Sequence, residues 1–512
     1  MSIPPKCTVL VIGGGPGGSY TASVLAREGV DTVLLEADKF PRYHIGESML
    51  PSLRHYLRFI DLDEQFDKHG FTKKAGAAFK MTPENKEGWS DFLLAGGPKN
   101  YTWNVVRSEA DEMIFRHAEK SGASVFDGVR VTDIQFDPAT GAADIGRPVS
   151  ASYTLKQDNN ITTGTIQFNY LVDASGRAGI LSTKYLKNRQ FSKALKNVAH
   201  WAYYRNAGVY GAGTKRENSP CFEALTDESG WAWFIPLHNG TTSVGIVRNQ
   251  EIAMEKKAAA GNVEAYYESS FSAAPMISGI VHQHGNAERV SPVQTASDYS
   301  YSSTTYSIPY ARIVGDAGCF IDPFFSSGVH LALTGGLAAG TTIKASINGD
   351  VPEEVAGKWH STKIKDGFAR FLLVVLSSYK QMRHQKDHVL SDFGEGDFDR
   401  AFEVFRPVIQ GEADTTTNIT QAEFTKTIEF LAKALDPSLL DMIEENPELL
   451  EKLLHGGQDG ADEGETAILT AMRMSQGAEI FSLGNFTTDV VDGRVPRLER
   501  GALTLVMAES KA

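Results

Sequence analysis

Cysteine is scarce in this sequence, with three residues among 512. Cys7, Cys221 and Cys319 are far apart, and none belongs to a Cys-x-x-Cys pair or to a histidine-rich stretch. A set of cysteines that is odd in number and widely spaced argues against both a disulfide framework and a zinc site, and it is typical of a reducing compartment. We therefore expect a cytoplasmic protein that holds no metal ion.

Long apolar runs and positive charge are also scarce. The most apolar stretch covers residues 371–376, which is far shorter than the roughly 20 residues of a membrane-spanning helix. The N-terminus leads almost directly into a β-rich run, so we expect no secretory signal. The net charge of −13 at pH 7 disfavours nucleic acid and anionic membranes as the main partners.

A strand, a glycine-rich turn and a helix open the chain. Residues 8–12 predict a strand and residues 19–28 a helix, and between them lies the motif Gly13-x-Gly15-x-x-Gly18. The first glycine permits a tight turn, the second lets the backbone approach a pyrophosphate, and the third lets helix and strand pack closely. The helix N-terminus then faces the phosphates.

A second strand completes this βαβ unit. It covers residues 32–35 and ends in Glu36, at the distance from the glycines at which an acidic residue binds ribose hydroxyls. The glycine motif alone is weak, because a glycine-rich turn without a ligand has the same pattern. Between a strand and a helix it predicts a dinucleotide-binding unit. No second motif of this kind follows a strand, so nothing in the sequence marks a separate nicotinamide site.

Several further segments follow in an order that resembles a known class of flavoprotein. They are Arg42, Gly46-Glu47-Ser48, Arg107, Asp173-Ala-Ser-Gly-Arg177 and Gly315-Asp316. Together they resemble the FAD-binding module of the aromatic hydroxylase class. The resemblance implies that Arg42, Ser48, Arg107 and Asp316 bind FAD, with Asp316 on ribityl and phosphate oxygens and Arg107 on the flavin side. For Asp173 and Arg177, an ordinary turn and a solvated charge are interpretations as good as contact with FAD.

Two of the six tryptophans stand one residue apart, in Trp231-x-Trp233-x-Ile235-Pro236. If this segment is a strand, positions i and i+2 point to the same face, so both indoles stand on one surface. That surface is either a ridge of the hydrophobic core or a wall between two compartments.

The more specific resemblance is to flavin-dependent halogenases, and among them to the fungal phenol-acting halogenases of polyketide biosynthesis. It rests on the complete Trp-x-Trp-x-Ile-Pro signature, on residues 322–330 with the pair Ser327-Gly328, on Lys73-Lys74, and on residues 41–48. It covers roughly residues 5–345 and, more loosely, the remainder of the chain.

This resemblance implies that FAD, as FADH2, reacts with O2 and with chloride or bromide to give hypohalous acid. A separate flavin reductase supplies the reduced flavin. The implied halide donors are Ser327 and Gly328, whose N–H groups and hydroxyl lie at a helix start. The implied catalytic lysine is Lys74, acting as an ammonium hydrogen-bond donor or as a haloamine, although Lys80 has the spacing of the tryptophan-acting branch. The residues implied to separate flavin from substrate are Trp231, Trp233, Ile235 and Pro236.

Phe325 marks a departure from the tryptophan-acting branch, which carries a glutamate at this position. That glutamate stabilises positive charge on the ring under attack. A ring without such help must be electron-rich, and a phenol activates itself by losing its O–H proton. The implied substrate is therefore a small phenolic aromatic of polyketide type, and the sequence leaves open whether it is free or bound to a carrier protein. The base that takes its proton is not identified, and the candidates in an acidic loop are Asp459, Asp462, Glu463 and Glu465.

Three other polar residues near these motifs have ordinary structural explanations. Asp298 either approaches the flavin ring or forms a turn. His44 and His330 flank the proposed flavin and halide segments, and we assign neither a catalytic role.

Two alternative functions are consistent with some of these motifs. An FAD-dependent aromatic hydroxylase, a monooxygenase, has the same fold, FAD and O2, but it would oxidise a nicotinamide itself. A non-catalytic flavin-binding or scaffold protein would hold a flavin that never reacts with O2. The tryptophan signature, the Ser327-Gly328 pair and the paired lysines together favour the halogenase.

The predicted fold is of the α/β class. It consists of a Rossmann-type FAD-binding module with an inserted antiparallel β-sheet substrate region and a helical C-terminal region. The predicted segments are 1–195 for the first part of the FAD-binding module, 196–290 for the β-sheet region with the tryptophan signature, 291–349 for the return segment, and 350–512 for the helical region.

Overall fold

The computed structural model describes residues 2–137, 145–157, 160–387, 389–390, 398–415 and 490–508, and the single positions 427, 430 and 434. Within these ranges the strands are β1 (Lys6–Ile12), β2 (Thr32–Leu35), β3 (Thr72–Lys74), β4 (Gly76–Lys80), β5 (Gly88–Asp91), β6 (Thr102–Asn104), β7 (Ser124–Phe126), β8 (Val129–Asp137), β9 (Arg147–Gln157), β10 (Asn160–Asp173), β11 (Arg189–Arg205), β12 (Cys221–Ala224), β13 (Gly230–Pro236), β14 (Thr242–Asn249), β15 (Glu288–Arg289), β16 (Gln294–Ser303), β17 (Ser307–Ile308), β18 (Ala311–Ile313), β19 (Arg494–Arg497) and β20 (Thr504–Met507). The helices are α1 (Pro16–Arg27), α2 (Ser52–Phe59), α3 (Asp63–His69), α4 (Phe92–Gly96), α5 (Arg107–Lys120), α6 (Gln250–Ala260), α7 (Val263–Ser270), α8 (Pro275–Val281), α9 (Gly328–Asn348), α10 (Glu353–Arg383) and α11 (Asp399–Ile409).

A mostly parallel sheet carries the nucleotide-binding unit. Its central order is β18, β10, β1, β2 and β7, and each neighbouring pair is parallel. β1 is buried on both faces, as expected for a parallel strand covered on two sides. Val9 and Val11 belong to the core cluster formed with α1 and α9, whereas Leu10 and Ile12 belong to the larger core on the other side. The predicted βαβ unit and the Rossmann-type fold class are confirmed.

A second sheet carries the tryptophan signature. Its order is β15, β11, β14, β13, β12, β4 and β5, with β16 also paired to β11. All of its pairings are antiparallel except that of β12 with β4. Because β13 lies between β12 and β14, both tryptophans are in the interior of the sheet.

The inserted region differs from the expectation of strands throughout 196–290. Helices α6, α7 and α8 occupy much of its second half. Local signals explain them, because the Asn249 side chain caps the start of α6 by accepting from the N–H groups of Glu251 and Ile252. Gly261 ends α6 in the left-handed region, with φ 83°. The division proposed at residue 195 lies inside β11, which runs from 189 to 205 without a break.

The C-terminal part is helical where the structure describes it up to residue 415. The longest helix, α10, packs against α9 and α11 and contributes to the main core. The expectation of helix to the chain end is wrong at residues 494–507, where β19 and β20 pair antiparallel. The β-branched residues Thr504 and Val506 favour a strand in β20, and Pro496 disfavours a helix in β19. No helix in the described parts of the chain combines the length and apolar character that crossing a bilayer requires.

Candidate active site

A cavity of about 540 Å³ lies at the carboxyl ends of β1, β10 and β18. Ligands of open α/β sheets bind at this edge of the sheet. The β1–α1 turn lines the cavity through Gly13 and Gly15, and β13 of the other sheet lines it through Trp231, Trp233 and Ile235. The cavity therefore lies between the nucleotide-binding sheet and the tryptophan sheet.

The glycines of the motif have the geometry that the sequence predicts. Gly13 has φ 103°, and a Cβ there would lie 2.1 Å from the Ala174 carbonyl oxygen. A Cβ at Gly18 would lie 1.9 Å from the Gly13 carbonyl oxygen. A side chain at this position would therefore prevent α1 from packing against the end of β1. Gly15 lines the cavity and leaves its backbone open to a ligand. Pro16 occupies the first turn of α1, where its missing N–H costs nothing.

Glu36 lies at the end of β2 and lines the cavity. Its carboxylate accepts hydrogen bonds from the backbone N–H groups of Gly14 and Asp38. A carboxylate has about four acceptor sites, so it retains capacity for a hydroxyl of a ligand. The side chain thus also fixes the glycine-rich turn against the second strand.

Arg107 is more deeply engaged with the protein than its sequence position suggests. Its Nε and Nη2 donate to the two oxygens of Asp111 at 2.8 and 2.9 Å, and its Nη1 donates to the carbonyls of Ile45 and Gly46. Arg42 donates to the same Asp111 at 3.2 Å. The two guanidinium groups hold the pKa of Asp111 below its usual range even though burial acts in the opposite direction. Arg107 therefore shapes the cavity wall by fixing the 45–46 backbone.

Asp316 and Arg177 both line the cavity. Burial raises the pKa of Asp316 to about 6, and Arg177, Arg107 and Arg189 act against that rise. Asp173 does not line it, because its carboxylate accepts from the Ser175 N–H and hydroxyl and from the Leu181 N–H. These local hydrogen bonds fit the interpretation of Asp173 as a turn residue.

The two tryptophans stand on one face of β13, as the strand alternation predicts. Their ring centroids are 5.8 Å apart, and Trp201 lies 6.3 Å from Trp233. Trp231 and Trp233 are 1% and 5% exposed, and both line the cavity. Ile235 lines it as well, whereas Pro236 ends the strand and accepts a hydrogen bond from the Asn104 side chain at 3.2 Å.

A buried hydrogen-bond network joins Trp231 to the segment before α9. The Trp231 indole N–H donates to the Tyr379 hydroxyl at 2.9 Å, and that hydroxyl donates to Asp322 at 2.7 Å. The Asn197 side-chain amide donates to the Tyr379 hydroxyl and to the Asp322 carboxylate. Asp322 also caps the short 3₁₀ turn Pro323–Phe325 by accepting from the Phe324 N–H. We name Trp231, Tyr379 and Asp322 the indole network. No sequence pattern indicates it, because Tyr379 lies on α10, far from Trp231 in the chain.

Lys74 is 1% exposed, although lysine is among the residue types found buried least often. Its Nζ donates to the Ser48 hydroxyl and to the Met49 carbonyl, each at 2.8 Å. Among the described residues no carboxylate forms an ion pair with it. Desolvation therefore lowers the pKa of Lys74 to about 7. Ser48 lines the cavity, as does Ser326, which donates to the same Ser48 hydroxyl at 2.9 Å, so Lys74 is one hydrogen bond from the cavity wall.

Lys80 has a different environment. Its ammonium donates to the carbonyls of Pro83 and Asn85 at the surface loop that follows β4. It does not line the cavity. Lys73 is exposed and pairs with Asp67 at 3.9 Å. Of the three lysines, Lys74 is the one held in an apolar setting next to the cavity.

Ser327 and Gly328 begin α9, a helix of 21 residues. Gly328 lines the cavity. The Ser327 hydroxyl is buried, does not cap the helix, and has no hydrogen-bond partner among the described residues. Phe325, two residues earlier, packs in an aromatic cluster with Phe79, 5.3 Å between centroids, and brings no charge to this segment.

Glu47 is a cavity residue whose side chain the sequence reasoning did not single out. Its carboxyl accepts from the Tyr203 hydroxyl at 2.6 Å, and its other oxygen is buried without a hydrogen-bond partner among the described residues. Burial raises the pKa of Glu47 to about 7. Its place beside Ser48 in a Gly-Glu-Ser segment was the available signal.

His330 is held on both sides, as expected for a structural histidine. Its Nδ1 lies 2.8 Å from the Ser52 hydroxyl, and its Nε2 lies 3.0 Å from Asp414. This order of serine, histidine and aspartate resembles a hydrolase triad, but Ser52 is 1% exposed and no substrate reaches it. His44 lines the cavity, and Arg107 together with burial lowers its pKa to about 4. The acidic-loop candidates Asp459, Asp462, Glu463 and Glu465, and the side chain of Asp298, lie outside what the structure describes.

Comparison with known proteins gives one consistent assignment. The tryptophan halogenase family matches residues 8–96 and 94–380. The flavin-dependent halogenase ascD of Acremonium egyptiacum is 54% identical over 99% of this chain and 94% of its own length. The sulochrin halogenase gedL of Aspergillus terreus is 51% identical over 100% of this chain and 95% of its own length.

A solved structure agrees with these relatives. The myxobacterial chondrochloren halogenase CndH superimposes with a TM-score of 0.66 at 27% identity, covering 84% of this chain and 97% of that one. The chain therefore belongs to the tryptophan halogenase family and is a flavin-dependent halogenase, an oxidoreductase whose cofactor is FAD.

Proposed function

We propose that this enzyme uses reduced FAD, O2 and chloride or bromide to form hypohalous acid and to halogenate an electron-rich phenolic aromatic through Lys74. The observation that carries the proposal is the state of Lys74. It is a buried lysine with two neutral acceptors, and among the described residues it has no carboxylate partner. With a pKa near neutral pH, such a group can accept an electrophilic halogen as the neutral amine or donate a hydrogen bond as the ammonium.

The residues around the cavity fit FAD. The glycine turn at the start of α1 offers backbone N–H groups to a pyrophosphate, and Glu36, Arg42, Ser48, Arg107 and Asp316 surround the remaining space. Glu47 also lines the cavity, and one of its carboxyl oxygens has no hydrogen-bond partner among the described residues. Reduced FAD, when bound, would supply two electrons to O2, and the oxygen would take two more from the halide to give hypohalous acid and water. The protein residues would bind and orient the reactants.

The Ser327 hydroxyl and the N–H groups at the start of α9 form the proposed halide site. An anion favours the positive end of a helix, and the buried hydroxyl without a partner offers a further donor. Neither group alone is selective for chloride or bromide.

The indoles of Trp231 and Trp233 form the proposed wall between flavin and substrate. Both line the cavity, and the indole network fixes Trp231 to the segment that leads to Ser327. A substrate kept behind such a wall escapes hydroxylation. The position two before Ser327 carries Phe325 and no carboxylate, which favours a ring that is activated by its own phenol group.

The reaction itself tests this proposal. Purified enzyme is incubated with FAD, an unrelated flavin reductase, NADH, air, chloride or bromide, and a panel of electron-rich phenols, free or attached to a carrier protein. We expect a product with the isotope pattern of the halogen, which disappears when halide or reductase is omitted. A product that gains only oxygen, formed with NADH but without added reductase, would instead identify an aromatic hydroxylase.

The pH dependence of halogenation reports on the form of Lys74 that reacts. The amine has two N–H groups for its two acceptors in the neutral form, which leaves its lone pair free for the halogen. Because the neutral fraction grows as pH rises through the pKa of about 7, we expect product formation to increase through this range. The measurement uses FAD reduced photochemically, so that the reductase does not limit the rate.

Glu47 titrates in the same range, so the profile is repeated with Glu47→Gln. If the inflection near pH 7 persists in that variant, it belongs to Lys74. A rate that falls above pH 7 would show that the ammonium form is the active one and that no haloamine is needed.

Replacing Trp231 by phenylalanine keeps a ring in the wall and removes the indole N–H that binds Tyr379. We expect the yield of halogenated product per reduced FAD to fall about fivefold, the factor that corresponds to one hydrogen bond of roughly 1 kcal/mol. Tyr379→Phe should lower the yield at least as much, because it removes the acceptor of that bond and also the donor to Asp322. The measurement is product by mass spectrometry against oxygen consumed.

Trp89→Phe is the matched control, since Trp89 lies on β5 and does not line the cavity. If the yield in Trp231→Phe equals that of the native enzyme, the tryptophan pair is core packing and the wall is the wrong interpretation.

A further inference from the structure

Two histidines and a glutamate converge on the protein surface outside the cavity. The Nε2 of His69 lies 2.7 Å from an Oε of Glu109, and the Nε2 of His238 lies 3.2 Å from the same oxygen. One ligand atom from each of the three residues lies within 4.8 Å of the others. The residues come from the end of α3, the first turn of α5, and the loop after β13, so only the fold brings them together.

The surroundings of this His–Glu–His cluster keep the two imidazoles in place. Phe71 packs against both rings, with centroids 4.2 Å from His69 and 5.2 Å from His238. Within the described parts of the chain, no lysine or arginine forms an ion pair with Glu109. Among the described residues, the side-chain partners of its carboxylate are the two imidazoles, which carry no permanent positive charge.

We propose that His69, Glu109 and His238 form a binding site for a divalent transition-metal ion such as Zn²⁺. Two imidazole nitrogens and one carboxylate oxygen are the ligand set of open zinc sites, in which water completes the coordination. Imidazole selects zinc, copper or nickel over magnesium and calcium, which prefer oxygen ligands. Zinc requires roughly 2.0–2.2 Å between the metal ion and each ligand atom. Rotations of the three side chains would place their ligand atoms around an ion at this distance.

The cluster joins parts of the molecule that are far apart in sequence. His238 follows the end of the tryptophan strand, and Glu109 lies on the same helix as Arg107, which shapes the cavity wall. A bound ion would tie the exit of β13 to the first turn of α5. The expectation of no metal site rested on the cysteines, and histidines so distant in sequence gave no pattern to read.

Zinc binding to the full-length holoenzyme tests the proposal. The protein is freed of any histidine tag, dialysed against EDTA and then against metal-free buffer, and titrated with Zn²⁺ by calorimetry, with bound zinc counted by elemental mass spectrometry. We expect one equivalent to bind and to raise the thermal midpoint, because a ligand that binds only the folded state stabilises it. Glu109→Gln and His238→Ala should each weaken binding by at least about tenfold.

His284→Ala is the matched control, because His284 is exposed and lies outside the cluster. It should bind zinc as the native enzyme does. His69→Ala removes the exposed ligand of the cluster. It replaces His238→Ala in the zinc titration if that variant fails to fold. Absence of a zinc-dependent shift in the native enzyme, or equal zinc affinity in the native enzyme and in the cluster variants, would overturn the proposal.

Discussion

Replacing Lys74 by alanine is expected to lower the rate of halogenation about a thousandfold or more and to leave FAD bound. The loss is large because removal of a group that handles the reacting atom or its proton costs about 10²–10⁴ in rate. FAD binding should persist, since Lys74 does not line the cavity itself. Product is measured by mass spectrometry, and FAD binding and its reoxidation by O2 are measured by absorbance.

Lys74→Met is the companion variant, because it fills the buried space that alanine would leave empty. Lys80→Ala is the control, since Lys80 is a lysine of the same region whose ammonium donates to the loop at residues 83–85 and which does not line the cavity. Activity retained in Lys74→Met and lost in Lys80→Ala would move the catalytic role to Lys80.

Asp414→Asn is expected to lower the free energy of unfolding by about 3–5 kcal/mol, because it removes a buried negative charge that binds two buried cations. The Asp414 carboxylate is 2% exposed and binds Lys363, Arg370 and, through its other oxygen, His330. The two cations hold the pKa of Asp414 well below its usual range. The measurement is denaturant unfolding at neutral pH, followed by fluorescence.

The pH dependence of this contribution follows from the sign of the pKa shift. Because the pKa of Asp414 is lower in the folded than in the unfolded protein, its contribution is fully present above the unfolded value of about 3.9. It is lost as pH falls below that value and through the folded pKa. Stability near pH 7 should therefore show the full difference between Asp414→Asn and the native protein.

Asp133→Asn is the control for this change. Asp133 pairs with Lys184 at 2.8 Å, but both side chains are about half exposed, and exposed ion pairs contribute little. If both substitutions change the midpoint equally, the buried cluster has no special importance. In that case α2, α9 and α10 are held together by apolar packing.

Sequence patterns located the parts of the site that depend on neighbouring residues. The glycine turn, α1, α9 and the shared face of the tryptophans all follow from spacing within one element, and the structure has them where they were expected. Resemblance supplied the family, which composition and periodicity could not provide.

Properties that depend on distant packing could not be predicted. The choice between Lys74 and Lys80 rests on burial, and burial of Lys74 depends on the 48–49 backbone lying over β3. Glu47, Tyr379 and Asp322 acquire their partners through contacts between segments more than 50 residues apart. Helices α6–α8 were not predicted, because the aromatic-rich stretches that precede them in the chain indicated strands for the whole region.

The pairing of β4 with β12 determines which segments have to be exchanged together in a chimera of two related halogenases. β4 and β5 lie in the chain between Ser48 and Arg107, two of the residues proposed to bind FAD, yet they complete the edge of the tryptophan sheet. A chimera that exchanges only residues 189–249 between two relatives would join a foreign β12 to the native β4. Grafting of substrate preference should therefore move residues 76–91 together with the rest of the tryptophan sheet, because two separate stretches of the chain build that sheet.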